Sequence, residues 1–201
     1  MEYRARDGAP NPNGRQTDRF RDAGAKGRAS ATPVVKLNSA AELKAAAKHA
    51  APNTRYEYGT YYWTTGKLRR TIECGGEVDP RPAGRNDALQ RKIGHEGKST
   101  DVGFHLIGDR FNGPTNRLNV VPANGKPLGD GLPNLNTGAW QKFEKQIAKL
   151  AANKNDIVEV RIRLQYDTGN LTNRPDSFLA AYRVNGGKWI EREFVNKPVS
   201  R

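Results

Sequence analysis

The sequence predicts a mixed α+β fold built on an antiparallel sheet with few helices. Three observations lead there. Short runs of β-branched and aromatic residues, several of them alternating with polar ones, recur between residues 56 and 194, as strands require. Residues 136–152 carry instead the three- and four-residue spacing of an amphipathic helix. Turn-forming residues, Thr65-Gly66 and Asn185-Gly186-Gly187, part neighbouring strand runs at hairpin distance.

Each element follows in chain order. Residues 1–32 are rich in Gly, Pro, Asn, Arg and Asp and nearly lack large apolar side chains, so they read as a flexible basic linker or tail. Residues 33–201 are then the folded domain. Ser39 and Glu42 form a capping-box pattern that starts an Ala/Lys-rich helix running to about His49. Tyr56–Trp63 and Leu68–Cys74 read as two strands of a hairpin. Residues 75–100 are loop-rich and basic, with a short helix expected over Asp87–Lys92. Val102–Ile107 and Leu118–Val121 are short strands flanking a Gly/Pro/Asn-rich loop. Trp140, Phe143, Ile147 and Leu150 mark the buried stripe of the helix expected from Asn136 to about Ala152. Ile157–Tyr166, Phe178–Val184 and Trp189–Phe194 complete the strands.

Composition narrows the function. The chain of 201 residues carries 34 Lys+Arg against 21 Asp+Glu, a formal charge of +13. A field of that sign favours anionic polymers, because neutralising phosphates releases condensed counterions. Solubility is the competing use of such charge. No apolar run approaches the roughly 18–20 residues of a membrane-spanning helix, and residues 1–6 open no classical signal peptide. The single cysteine, Cys74, excludes an internal disulfide and a multi-cysteine zinc site. Nothing around it suits thiolate chemistry, so it reads as a small strand residue. Tyr56, Tyr58, Tyr61, Tyr62 and Trp63 offer either a stacking platform for bases or, on alternate positions, core.

Histidine occurs at positions 49, 95 and 105 only. His49 falls on the Ala/Lys helix. His95-Glu96 lacks the second histidine four residues after the first that a zinc protease helix needs. His105 lies on an expected strand, in Asp101-Val102-Gly103-Phe104-His105-Leu106-Ile107-Gly108, followed by Asp109-Arg110-Phe111-Asn112-Gly113-Pro114. A strand histidine can be a hydrogen-bonded core residue, or a catalyst with a near-neutral pKa.

Two further blocks follow, Leu118-Asn119-Val120-Val121-Pro122 and Leu135-Asn136-Thr137-Gly138-Ala139-Trp140-Gln141-Lys142-Phe143-Glu144. Taken in order with the histidine block, they resemble the DNA/RNA non-specific endonucleases, the ββα-metal or His-Me finger family. The resemblance covers about residues 84–180. Gly84-Arg85-Asn86 through Gln90-Arg91-Lys92, and Arg174-Pro175-Asp176-Ser177-Phe178, resemble its bacterial branch of secreted effectors and polymorphic toxins.

That resemblance implies an antiparallel sheet core bearing a ββα-metal motif, with His105 as the general base that deprotonates the attacking water. A pKa near 6.5 suits that task. It implies Asn136 as the direct protein ligand to hydrated Mg2+, with Mn2+ equally compatible with such oxygen donors. Glu144 would hold the ion's water shell, and Asn119 would brace the histidine strand or one of those waters. On one continuous helix, Asn136 and Glu144 would stand roughly 80° apart and about 12 Å along the axis. An arginine would meet the developing phosphate charge; Arg110 and Arg85, flanking the histidine block, lead Arg91 and Arg70. The residues also have plain structural roles open to them: Asn136 as a helix N-cap, Glu144 as a solvated helix charge, Asn119 as a turn residue. The chain departs from the family pattern at Val102, where Arg is usual, at Phe104, where the bacterial branch has Gly, and at Ala123, where Gln often follows the proline.

The implied activity is metal-dependent, sequence-tolerant cleavage of DNA, with RNA open, leaving 5′-phosphates. The bacterial-branch motifs, the small size and the abrupt tail suggest the toxin domain of an antibacterial effector, delivered into a target cytoplasm. An acidic immunity protein covering His105 would be its partner. The rival expectations are a non-catalytic nucleic-acid-binding module and a nutritional or housekeeping nuclease without an immunity partner.

Overall fold

The computed structural model describes residues 31–126 and 134–197. The tail expected over residues 1–32 lies, but for its last two residues, outside them. The folded unit beginning at Pro33 runs β1 (Val34–Lys36), α1 (Ala40–Lys48), β2 (Arg55–Tyr58), β3 (Tyr61–Thr65), β4 (Thr71–Glu77), α2 (Asp87–Gly94), β5 (Asp101–His105), β6 (Val120–Asn124), α3 (Ala139–Ala151), β7 (Val158–Gln165), β8 (Ser177–Val184) and β9 (Ile190–Val195). Seven strands form one sheet in the order β1-β2-β3-β4-β7-β8-β9, and β5 and β6 form a separate two-stranded ribbon. All pairings are antiparallel except β1 with β2. The α+β class and the antiparallel core are as expected, and β5, β6 and α3 supply the ββα unit.

Strand alternation builds the core. Tyr56, Trp63, Cys74, Ile162 and Ala180 stand in register across five strands, and all are buried. The opposite face carries Glu73 against Arg161 and Arg163, and Glu159 against Arg183. Acid–base neighbours of this kind balance one another at the surface and contribute little stability.

α3 lies over the ribbon and the sheet. Trp140 packs on Phe104 of β5, Phe178 of β8 and Phe194 of β9, with ring centroids 4.8, 5.6 and 4.9 Å away. Aromatic pairs of this geometry contribute about 0.5–1.5 kcal/mol each beyond their area burial. Phe104 therefore ties the histidine strand to the helix, which gives the departure from glycine there a packing role. On the other face of the ribbon α2 approaches backbone to backbone: a Cβ on Gly103 would collide with the Gln90 carbonyl, and one on Gly94 with the Gly103 amide.

Three expectations change. The aromatic run 56–63 is not one strand but a hairpin, because Gly59 takes φ +59° and turns β2 back into β3. β1 was not expected; it is only three exposed residues long, held beside β2. The last helix starts at Ala139 rather than Asn136, and residues 135–138 form a turn.

Candidate active site

His105 ends β5 opposite Val120 of β6. Phe104 points into the aromatic core, and alternation sends the next side chain to the other face. There the His105 Nε2 lies 3.0 Å from Thr115 Oγ1. The backbone N–H of Asn86, the N-cap of α2, donates to that same hydroxyl oxygen at 3.4 Å.

The chain leaving His105 is held by Asn119, which is completely buried. Its Oδ1 accepts from Trp63 Nε1 and the Ile107 amide, and its Nδ2 donates to the Ile107 and Pro114 carbonyls. A carboxamide offers two donors and two acceptor lone pairs. All are engaged within the protein, so Asn119 braces the loop after the histidine and has no capacity left for a water beside a metal.

Beyond that loop sits Glu144 of α3. A Cβ on Gly108 would strike Glu144 Oε1, so glycine is what allows the carboxylate to rest against the backbone after the histidine strand. Burial pushes the Glu144 pKa up, while the Trp140 indole and the positive charges of Arg110 and Arg85 pull the other way. Burial and then Arg85 push His105 down to about 4, against the opposing pull of Asp109. That lies below the ordinary imidazole value of about 6.5, because a mostly enclosed ring that feels the positive charge of Arg85 resists a second proton. It is neutral at pH 7, with a lone pair available.

Arg85 thus acts on both His105 and Glu144, and its Nε lies 3.6 Å from Asp109 Oδ2. Asp109 Oδ1 is buried and finds no hydrogen-bond partner among the described residues. Arg110 acts on Glu144 and is exposed. Arg70 belongs elsewhere: its guanidinium stacks on Tyr166 at 3.5 Å and bonds to the Asn170 and Thr172 carbonyls. Arg91 is exposed on α2. Of the four arginines, Arg85 and Arg110 are the two drawn to the site.

Asn136 is exposed in the turn before α3, and its amide bonds to no described residue. It is not the helix N-cap; Gly138 holds that position without a side-chain bond. Asn134 organises the turn instead, accepting from the Thr137 amide at 2.8 Å. The helical geometry expected between Asn136 and Glu144 does not apply. Among the described residues no group of three or more His, Cys, Asp and Glu could hold an ion. No contact joins Asn136 to Glu144 among the described residues; by donor type, the exposed Asn136 amide oxygen and the Glu144 carboxylate cradled by Gly108 are oxygen ligands of the kind a hard, largely hydrated cation takes.

The remaining candidates fall away from chemistry. Cys74 is buried and its thiol is pushed well up by burial. His49 and His95 are C-caps of α1 and α2. Tyr56, Tyr61 and Trp63 are core residues rather than a stacking platform. Thr115, Gly108 and Asp109 were missed. The turn-rich run after His105 was their signal, since side chains there lie near the histidine without any periodic pattern.

A family model described as DNA/RNA non-specific endonuclease matches residues 52–186, about two thirds of the chain. A crystal structure of NucA from Streptococcus agalactiae with magnesium ion bound is similar at 12% identity and TM-score 0.48, covering 71% of this chain and 74% of that one. The structure of Sda1 nuclease with bound zinc ion is similar at 14% identity and TM-score 0.47, covering 69% and 74%.

Proposed function

This chain belongs to the DNA/RNA non-specific endonuclease family, and on that premise we propose that it cleaves DNA with His105 as general base, RNA being the second substrate to try. The observation that carries the reading is that His105 ends β5 and the backbone three residues later, at Gly108, lies against the Glu144 carboxylate of α3, which joins the strand and helix parts of the ββα unit at one place.

His105 takes a proton from water through its free ring nitrogen. The water oxygen attacks phosphorus, the bond from phosphorus to the 3′ oxygen breaks, and that oxygen leaves and is protonated from solvent. The products carry a 5′-phosphate and a 3′-hydroxyl. Arg85 and Arg110 offset the negative charge that grows on the phosphoryl oxygens. Asn136 and Glu144 would hold Mg2+, or Mn2+ in its place, which when bound supplies further charge stabilisation at the phosphate and the 3′ oxygen. Contacts of this kind address phosphates and carry no base information, which accounts for sequence tolerance.

The +13 charge and the bacterial-branch motifs support a role as the toxin domain of an antibacterial effector, delivered into and acting in the target cytoplasm. Its partner is an acidic immunity protein seated over His105.

Supercoiled plasmid, incubated with Mg2+ or with EDTA beside a His105→Ala variant, tests the catalytic reading. Metal-dependent nicking that the variant lacks is expected. If both proteins shift the plasmid and neither cuts it, the chain is a binding module and the reading fails.

A further inference from the structure

We infer that Thr115 is the positioning residue for the base: its hydroxyl oxygen accepts the Nε2 proton of His105, and Nδ1 is the nitrogen that receives the proton from water. The inference rests on the nuclease reading and deepens it.

The geometry supplies the argument. Nε2 has its partner in Thr115 Oγ1 at 3.0 Å, and Nδ1 bonds to no described residue. A neutral imidazole has one N–H and one lone pair, so the partner of one nitrogen decides the state of the other. Thr115 Oγ1 uses one lone pair for the Asn86 N–H and keeps a second for Nε2–H. Were the hydroxyl instead to donate to Nε2, Nδ1 would carry the proton and could not act as a base. In the proposed arrangement the bond persists unchanged through the reaction. When Nδ1 gains its proton both nitrogens are donors, and Nε2–H still points at Oγ1.

Thr115 is itself held on both sides. The carbonyl of Pro114, the residue before it, accepts from Asn119 Nδ2 at 3.1 Å. Asn116, the residue after it, accepts from the Leu118 and Asn119 amides through Oδ1. Asn86 closes the third side, since its own carboxamide caps α2 by accepting from the Leu89 amide. The hydroxyl is therefore fixed by the same residues that fix the loop, and it fixes the ring in turn. A base held in one tautomer and one orientation loses no time sampling unproductive ones.

The test compares Thr115→Val, Thr115→Ser and His105→Ala with wild type in plasmid nicking, and reads the imidazole tautomer of wild type and Thr115→Val by 15N NMR. Thr115→Val is expected to lower kcat about 10–100-fold, the penalty for a misplaced catalytic group, with KM and plasmid affinity unchanged. Thr115→Ser restores most of the loss. The wild-type spectrum carries the proton on Nε2. Wild-type kcat in Thr115→Val beside an inactive His105→Ala overturns the role of Thr115 alone. Full cleavage by His105→Ala overturns the underlying reading. If Thr115→Val does not fold, the wild-type spectrum still decides: a proton on Nδ1 at neutral pH refutes the assignment.

Discussion

The Asp101 carboxylate, entirely enclosed, is gripped by the Arg174 guanidinium, with Oδ2 2.6 Å from Nε and Oδ1 3.1 Å from Nη2. Asp101 begins the histidine strand, and Arg174 stands just before β8. Arg174 also donates to the backbone and side-chain oxygens of Asn196, whose Nδ2 reaches the Pro122 and Pro175 carbonyls. One buried ion pair thus closes the ribbon onto the large sheet. Two blocks that carry the family resemblance meet here and serve the fold rather than the chemistry.

Removing either partner leaves a buried charge uncompensated. Asp101→Ala or Arg174→Ala alone is expected to destabilise the protein by about 3–5 kcal/mol. The double substitution should cost clearly less than the sum of the two. Urea unfolding of the three variants gives the coupling directly, and additive losses would contradict this account of the pair.

Gly108→Ala probes the seat of Glu144. The backbone there, at φ −59° and ψ 149°, accommodates any residue. Its cost arises only where the new Cβ meets Glu144 Oε1. A stability loss of about 1–3 kcal/mol is expected from such overpacking, together with slower nicking as the carboxylate is displaced. A wild-type nicking rate would show that the position of Glu144 does not matter.

Arg85 and Arg110 should separate from Arg70 and Arg91 in an activity assay. Arg85→Ala and Arg110→Ala are each expected to slow cleavage about 100–1000-fold, the range for losing one donor aimed at a transition state. Arg91→Ala should leave the chemical step near wild type. Single-turnover rates at saturating protein distinguish this from weakened DNA binding.

The depressed pKa of His105 sets a pH signature for stability. Its folded value of about 4 lies below the ordinary 6.5. As pH falls through 6.5 the unfolded chain takes up this proton and the folded one does not, so stability decreases between pH 6.5 and 4 and is unaffected above. The loss amounts to at most about 3 kcal/mol. Urea unfolding at pH 7 and pH 4.5 should show a smaller decrease for His105→Ala than for wild type. Equal decreases would place the imidazole in a more solvated setting.

Much of the fold was legible where local pattern and tertiary packing agree. The stripe of Trp140, Phe143 and Ile147 is buried, and the β8–β9 hairpin turns at Asn185 and Gly186, both at positive φ. The helix start was misread because residues 135–138 are compatible with a first helical turn, and only the Asn134 bonds hold them as a separate one. The hairpin inside residues 56–63 was hidden because aromatic residues stand on both sides of Gly59, so composition alone sees one strand.

The sequence by itself determined the class, the charge and the order of the blocks that carry the histidine, asparagine and glutamate. Those are properties of residue type and spacing, which need no knowledge of what packs against what. Only the tertiary structure decided how the residues divide the work. It made Asn119 a saturated brace and took Arg70 to Tyr166. It also brought Arg85 to act on both His105 and Glu144, and set Thr115 against the imidazole. Hydrogen-bond saturation, burial and the reach of a charge depend on neighbours distant in sequence, and a linear pattern carries no record of them.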